Sequence, residues 1–134
     1  MHKILMADDH APTRAMLSRV LGDQDFQIIE ACDGEEAYNQ ALDQQPDLIL
    51  MDGMMPKLDG YEVLDMLKAN TATENIPVLM LTALDLPRER KLAMTIGASG
   101  YVIKPVLLEE LWDNIKRILE PELELELDME LATD

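Results

Sequence analysis

The chain has 134 residues, of which 48% are hydrophobic, and its formal charge at pH 7 is -16. This length and composition fit one globular domain with a core of ordinary size and exclude a disordered chain. The negative charge argues against a nucleic-acid groove or an anionic membrane surface as the direct partner.

The cysteine content and the N-terminal sequence predict the cellular compartment of the protein. The single cysteine, Cys32, excludes an internal disulfide framework and suits a reducing compartment. No apolar run approaches the roughly 20 residues that cross a bilayer. The start, MHKILMADDH, carries two acids where a signal peptide would continue its apolar core. We therefore expect a soluble, cytoplasmic protein that does not interact with membranes.

Short apolar runs alternate along the chain with segments of helical period, always strand before helix. The strands are expected, in chain order, at Lys3–Ala7, Phe26–Ala31, Leu48–Met51, Pro77–Leu81 and Gly100–Ile103. The helices between and after them are expected at about Ala11–Leu21, from Gly34 to before Pro46, from about Gly60, at about Pro87–Ile96, and in the segment that carries Leu108, Leu111, Ile115, Ile118 and Leu119. The runs ILMA, LILM and VLML are apolar throughout, which is typical of strands buried on both faces.

The apolar residues of the helical segments recur at spacings of three and four, which predicts one buried face per helix. In the first helix that face would hold Met16, Leu17, Val20 and Leu21. Five strand-then-helix units in a short chain predict right-handed crossovers and a parallel sheet covered on both sides. The predicted fold class is therefore α/β, a three-layer sandwich around five parallel strands.

Polar side chains follow the strands where the strands end. Asp8 and Asp9 follow the first strand, Asp52 the third, Thr82 the fourth and Lys104 the fifth. Because the carboxyl ends of parallel strands meet at one edge of the sheet, these side chains should converge on a cleft at the topological switch point. Each residue alone would be ordinary, for example a helix-capping acid or a loop lysine. Their joint placement indicates a functional site.

The same residues carry a family resemblance. The pattern Asp-Asp, then Asp followed by Met-Met-Pro and Asp-Gly, then Thr-Ala, then Lys-Pro resembles the receiver domain of two-component response regulators, from about His2 to Leu119. The resemblance implies a flavodoxin-like fold with strand order 2-1-3-4-5. It also implies a receiver domain at residues 1–120, followed by an acidic tail or truncated linker at residues 121–134.

The resemblance assigns the phosphoacceptor and the metal ligands. Asp52 would be the phosphoacceptor, and the ligands of Mg²⁺ would be Asp9, Asp52, Asp8 acting largely through water, and the backbone carbonyl of Met54. This assignment suits the residue types, because crowded carboxylates repel one another unless a hard dication lies between them. A carboxylate can also attack a phosphoryl group and form an aspartyl phosphate.

The resemblance also assigns the residues that respond to the phosphoryl group. Thr82 and Lys104 would be the other catalytic residues, and Lys104 would offset the negative charge of the transferred oxygens. Thr82 and Tyr101 would form a switch pair, in which movement of the threonine opens space for the tyrosine ring. The peptide bond between Lys104 and Pro105 would be cis.

The implied function is a phosphorylation-dependent signalling receiver that catalyses its own phosphorylation and dephosphorylation. It would accept the phosphoryl group from a sensor histidine kinase or a phosphotransfer protein, and its output would be binding to a downstream protein or to an output domain outside this chain. A monomer or weak dimer is expected. One alternative is a degenerate receiver that acts as a constitutive protein-binding module. A phosphatase with an aspartyl nucleophile is less favoured, because that class has a second acid where this chain has Met54.

Two residues beside these motifs are not explained by them. Gly53 follows Asp52 directly, at a position where a bulky apolar residue is usual in receivers. His10 follows the acid pair Asp8-Asp9, and the sequence identifies no partner for its side chain.

The segment after Glu120 leaves two interpretations open. Leucine and methionine alternate with acids in ELELELDMEL, and on a strand this period would place every apolar side chain on one face. Such a strand could be added to a sheet edge, either in the same molecule or in a partner. A run of charge without bases also favours a solvated, disordered tail or linker.

Overall fold

A computed structural model describes residues 2–83 and 85–120. The elements are β1 (Lys3–Ala7), α1 (Ala11–Gly22), β2 (Gln27–Ala31), α2 (Gly34–Gln44), β3 (Leu48–Asp52), α3 (Gly60–Ala69), β4 (Val78–Thr82), α4 (Pro87–Ile96), β5 (Gly100–Ile103) and α5 (Leu108–Leu119). The tail at residues 121–134 lies outside the described residues, so both interpretations of it stay predictions. Within the described ranges, no helix is long and apolar enough to cross a membrane.

The five strands form one parallel sheet in the order β2-β1-β3-β4-β5. The predicted fold class and strand order are confirmed. β1 lies between β2 and β3, so the chain reverses its direction of travel across the sheet there, and this is the switch point. The register aligns the carboxyl ends of the strands, since Ala7 pairs with Met51 and Thr82 pairs with Ile103.

The sheet separates two buried apolar clusters. One contains Val63, Leu64 and Leu67 of α3 with Ala37 of α2 and Ala93 of α4. The other lies on the opposite face and is built by α1 and α5 with the alternate residues of the strands. Every residue of β3 and β4 is buried, which confirms that these strands are covered on both faces.

The predicted elements differ from the structure at several strand ends and at two side chains. β3 ends at Asp52 rather than at Met51, and β4 spans Val78–Thr82 rather than Pro77–Leu81. β2 begins at Gln27 rather than at Phe26, whose ring makes an edge contact with Trp112 of α5 at a centroid distance of 5.9 Å. Met16 is 43% exposed and Leu108 is 45% exposed, although both were predicted on buried faces. Met16 precedes the buried Leu17 by one residue and so projects about 100° away from it around the helix. Leu108 lies in the first turn of α5, ahead of the buried Leu111.

A capping box fixes the start of α3. The Asp59 carboxylate accepts from the Glu62 backbone N–H at 2.9 Å, and the Glu62 carboxylate accepts from the Asp59 N–H at 3.3 Å. We expect Asp59→Ala to lower the free energy of unfolding by about 1 kcal/mol, because the Glu62 N–H in the first turn loses its acceptor. Denaturant unfolding would measure this. Asp65→Ala on the exposed side of α3 is the control, and an equal loss there would contradict a capping role.

Candidate functional site

Three carboxylates meet at the carboxyl ends of β1 and β3. Side-chain oxygens of Asp8, Asp9 and Asp52 all lie within 4.8 Å of one another. Asp8 is 2% exposed and Asp52 is 6% exposed, whereas Asp9 faces solvent. Burial of two acids beside a third creates a strongly negative pocket that is open on one side. The structure therefore brings together the acids that the sequence predicted to converge.

Lys104 joins this group from the end of β5. Its Nζ lies 2.9 Å from Asp8 Oδ2 and 3.4 Å from Asp52 Oδ1. Burial lowers the pKa of Lys104, but the hydrogen bond to Asp8 and the charges of both acids outweigh this, so the pKa lies above its ordinary value. The ammonium group therefore stays charged near neutral pH. The peptide bond between Lys104 and Pro105 is cis.

The Asp52 carboxyl group has an unusual proton affinity. Burial raises its pKa from 3.8 to about 6, and the charge of Asp8 acts in the same direction. A hydrogen bond from the Met54 N–H to Asp52 Oδ1, at 3.2 Å, and the charge of Lys104 oppose this shift. At neutral pH the group is still mostly ionised, which a nucleophilic carboxylate requires. Met54 contributes its amide to this contact, and its side chain is 60% exposed.

Backbone contacts fix the position of Asp8. Asp8 Oδ1 accepts from the His10 N–H at 2.8 Å, and Arg14 Nη1 donates to the Asp8 carbonyl at 2.6 Å. His10 caps α1, because its Nδ1 accepts from the Thr13 N–H at 3.3 Å. The structure thus supplies the partner that the sequence did not identify for His10. Histidine is not among the residues that usually cap helices, so the residue type alone does not predict this contact.

The loop after β3 is held closely against the strand. The Gly53 N–H donates to the Leu81 carbonyl of β4 at 3.2 Å, and the Gly60 N–H donates to the Gly53 carbonyl at 3.0 Å. A Cβ atom at Gly60 would overlap the carbonyl oxygen of Asp52. Only glycine therefore lets the start of α3 approach the backbone of the candidate nucleophile this closely.

Thr82 is the last residue of β4, next to Leu81, which pairs with Asp52, and Tyr101 is the second residue of β5. Thr82 is fully buried and Tyr101 is 5% exposed. The hydroxyl of Tyr61 lies 2.9 Å from the hydroxyl of Tyr101, and Tyr61 also shares a hydrogen bond with Thr82. The guanidinium of Arg90 on α4 lies 5.9 Å from the centre of the Tyr101 ring. Sequence reasoning missed Tyr61, for which the unusual Gly53 was the available signal.

A second group of possible metal ligands lies at the start of α2. The side chains of Cys32, Asp33 and Glu36 also offer ligand atoms within 4.8 Å of one another. Asp33 is already engaged, since it caps α2 through the Glu36 N–H at 2.8 Å and lies 3.4 Å from Lys57 Nζ. The Cys32 sulfur donates to Glu36 at 3.1 Å, and this contact raises the pKa of the thiol. These contacts give the second group a role in starting the helix.

The fold and the site together define a doubly wound α/β protein with an acidic, lysine-containing cleft at its switch point. Residues 4–116 match the family described as response regulator receiver domain, and the chain belongs to this family. The resemblance inferred from the sequence is thereby confirmed. These domains are signalling modules of two-component systems.

Similar proteins support this assignment. The phosphate regulon transcriptional regulatory protein PhoB of Klebsiella pneumoniae is 39% identical over 117 residues, which cover 87% of this chain and 51% of PhoB. The structure of CheY4 from Vibrio cholerae is 32% identical with a TM-score of 0.83, covering 89% of this chain and 99% of CheY4. The CheX-CheY-BeF3-Mg²⁺ complex of Borrelia burgdorferi matches at 27% identity and a TM-score of 0.82, covering 87% of this chain and 88% of the matched chain. The chain spans about half the length of the curated relatives it matches.

Proposed function

We propose that this chain is a phosphorylation-dependent receiver in which Asp52 accepts a phosphoryl group. The observation that carries the proposal is the position of the Asp52 carboxylate, 3.4 Å from Lys104 Nζ and within 4.8 Å of Asp8 and Asp9. A nucleophile, a fixed cation and additional acids thus meet at one solvent-open edge. Family membership supports the same conclusion, because receiver domains are signalling modules.

The chemistry follows from these positions. A carboxylate oxygen of Asp52 attacks the phosphorus of the donor, a new P–O bond forms, and the bond between phosphorus and the donor's leaving group breaks. The product is an acyl phosphate on Asp52. Lys104 remains protonated and offsets the charge on the phosphoryl oxygens, and the hydroxyl of Thr82 donates a hydrogen bond to one of them. Hydrolysis of the acyl phosphate returns the carboxylate.

The donor set fits Mg²⁺. Three carboxylates face one ammonium group, so the cleft keeps an excess of negative charge, and Mg²⁺ prefers oxygen ligands. Asp8, Asp9, Asp52 and the carbonyl of Met54 would hold the ion. When bound, Mg²⁺ supplies positive charge next to the transferring oxygens. The Borrelia CheX-CheY complex was solved with BeF3 and Mg²⁺, which supports the same ion for this chain.

The upstream partner in this proposal is a sensor histidine kinase or a phosphotransfer protein, and both would act in the cytoplasm. Downstream, Tyr101 and α4 form the surface that changes with phosphorylation. Leu92 and Met94 on α4 are 47% and 46% exposed, which suits a surface that binds a protein. The bound partner is a separate protein or an output domain joined to the receiver. The receiver itself is a monomer or weak dimer in this proposal.

Intact-protein mass after incubation with acetyl phosphate and Mg²⁺ tests the proposal. We expect one phosphate-sized increment that requires Mg²⁺ and is lost in Asp52→Asn, because the amide is not a nucleophile. Asp65→Asn is the matched control, since Asp65 is an exposed acid on α3, away from the cleft. No increment in the folded wild-type chain would refute the proposal and favour the constitutive binding module.

A further inference from the structure

Tyr61 forms a contact that the chemistry at Asp52 does not use. Its ring extends from the first turn of α3 and brings its hydroxyl 2.9 Å from that of Tyr101 on β5. Burial and this hydrogen bond raise the pKa of Tyr61 above its ordinary value, so the hydroxyl keeps its proton at physiological pH. A neutral hydroxyl can both donate and accept, so it can pair with Tyr101 and with Thr82 at the same time.

Gly53 leaves the space that the Tyr61 ring occupies. A Cβ atom at Gly53 would lie 3.2 Å from Tyr61 Cε2 and 3.0 Å from Thr82 Oγ1. Both distances are shorter than ordinary contacts to Cβ, so a larger side chain would push the ring or the hydroxyl away. The backbone of Gly53 itself has no conformation that requires glycine. The space beside Gly53 is therefore bounded by both the Tyr61 ring and the Thr82 side chain.

We propose that Tyr61 is a positioning residue that holds Tyr101 in its buried orientation whether or not Asp52 is phosphorylated, and that Gly53 provides the space for this contact. The proposal rests on the proposed function only in treating Tyr101 as a switch residue. The contact joins α3 to β5 and includes no atom of Asp52, so the phosphoryl group is not needed to form it. The Arg90 guanidinium over the Tyr101 ring supports the same orientation.

The consequence concerns the balance between two orientations of Tyr101. A hydrogen bond that exists only in the buried orientation adds to the population of that orientation in the unmodified protein. One such bond is worth about a threefold to tenfold change in the ratio of buried to exposed rings. The buried orientation of Tyr101 is then already populated before phosphorylation. A partner that binds only this orientation should therefore bind measurably to the unmodified protein.

Solvent access to the Tyr101 ring in unmodified protein tests this proposal. The chain has three tyrosines, so ring-¹³C-labelled tyrosine gives few signals, each assigned by its loss in a Tyr→Phe variant. Relaxation of the Tyr101 signal by a soluble gadolinium chelate measures exposure. We expect the relaxation to rise at least about twofold in Tyr61→Phe, because the exposed orientation gains population. Gly53→Ala should change it in the same direction.

Tyr38→Phe is the matched control. The Tyr38 hydroxyl accepts from Asn70 Nδ2 at 3.0 Å between α2 and α3, so this variant loses a similar hydrogen bond far from Tyr101. The Tyr101 signal should not change there. Equal Tyr101 relaxation in wild type, Tyr61→Phe and Gly53→Ala would overturn the proposal. The assay uses no phosphodonor, so failure of Asp52 phosphorylation in the mass experiment is a separate result that refutes only the proposed function.

Discussion

Asp52→Asn should make the protein more stable than wild type when no divalent cation is present. At about pH 8 we expect the free energy of unfolding to increase by roughly 1–3 kcal/mol. Burial raises the pKa of Asp52 from 3.8 to about 6, so ionisation of this group opposes folding at neutral pH. Asparagine removes the charge and keeps an oxygen that can accept from the Met54 N–H. Denaturant unfolding of both variants in EDTA measures the difference.

The pH dependence of this difference has a defined sign. The folded protein binds the Asp52 proton more tightly than the unfolded chain does, so wild-type stability from this group falls as pH rises from about 4 through about 6. The advantage of Asp52→Asn should therefore be small near pH 4, grow through pH 6 and level off above about pH 7. Other groups titrate in both proteins, so subtracting the two curves isolates Asp52.

Adding Mg²⁺ should reduce or reverse the advantage of Asp52→Asn. An ion that binds the folded wild-type cleft stabilises it by mass action, whereas the variant has lost one ligand charge. Asp65→Asn should follow the wild type at every pH, with and without Mg²⁺. A wild type that is more stable than Asp52→Asn in EDTA at high pH would mean that the ion pair with Lys104 outweighs the cost of burying the carboxylate.

Gly60→Ala should cause a large loss of stability. We expect the free energy of unfolding to fall by about 2–4 kcal/mol, because the new Cβ would overlap the Asp52 carbonyl and the backbone has to move. Alanine at the first position of a helix would otherwise leave stability unchanged or increase it. The expected loss of stability therefore comes only from the overlap of the new Cβ with the Asp52 carbonyl. The displaced carbonyl belongs to the candidate nucleophile, so the rate of phosphorylation should fall as well.

Gly22→Ala is the control for Gly60→Ala. Gly22 is the last residue of α1, and no atom outside its own neighbourhood lies within 4 Å of the position its Cβ would take. We expect this variant to be unchanged or up to about 1 kcal/mol more stable, because alanine loses less chain entropy on folding. Equal behaviour of the two variants in urea unfolding would show that the loop does not need its close approach to β3.

The element order and the residues at the cleft were accessible from the sequence because they depend on periodicity and strand ends. β3 and β4 are apolar up to their last residues, Asp52 and Thr82, and the polar residue that ends such a strand emerges at the sheet edge. Contacts between side chains from distant elements were not accessible in this way. The hydroxyl pair of Tyr61 and Tyr101 spans 40 residues and depends on how α3 is rotated against β5. The same limitation explains why Met16 was predicted to be buried but is exposed. The spacing of apolar residues identifies one side of a helix, but only part of that side contacts the sheet.

The sheet divides the core into two apolar clusters, and Tyr101 belongs to only one of them. The Tyr101 side chain belongs to the cluster that contains Ala93 of α4, whereas its neighbour Val102 belongs to the cluster on the α1 and α5 face. Reorientation of Tyr101 would therefore disturb the packing on one face of the sheet and leave the other face unchanged. The packing of the α1 and α5 face would thus be the same in both orientations of Tyr101.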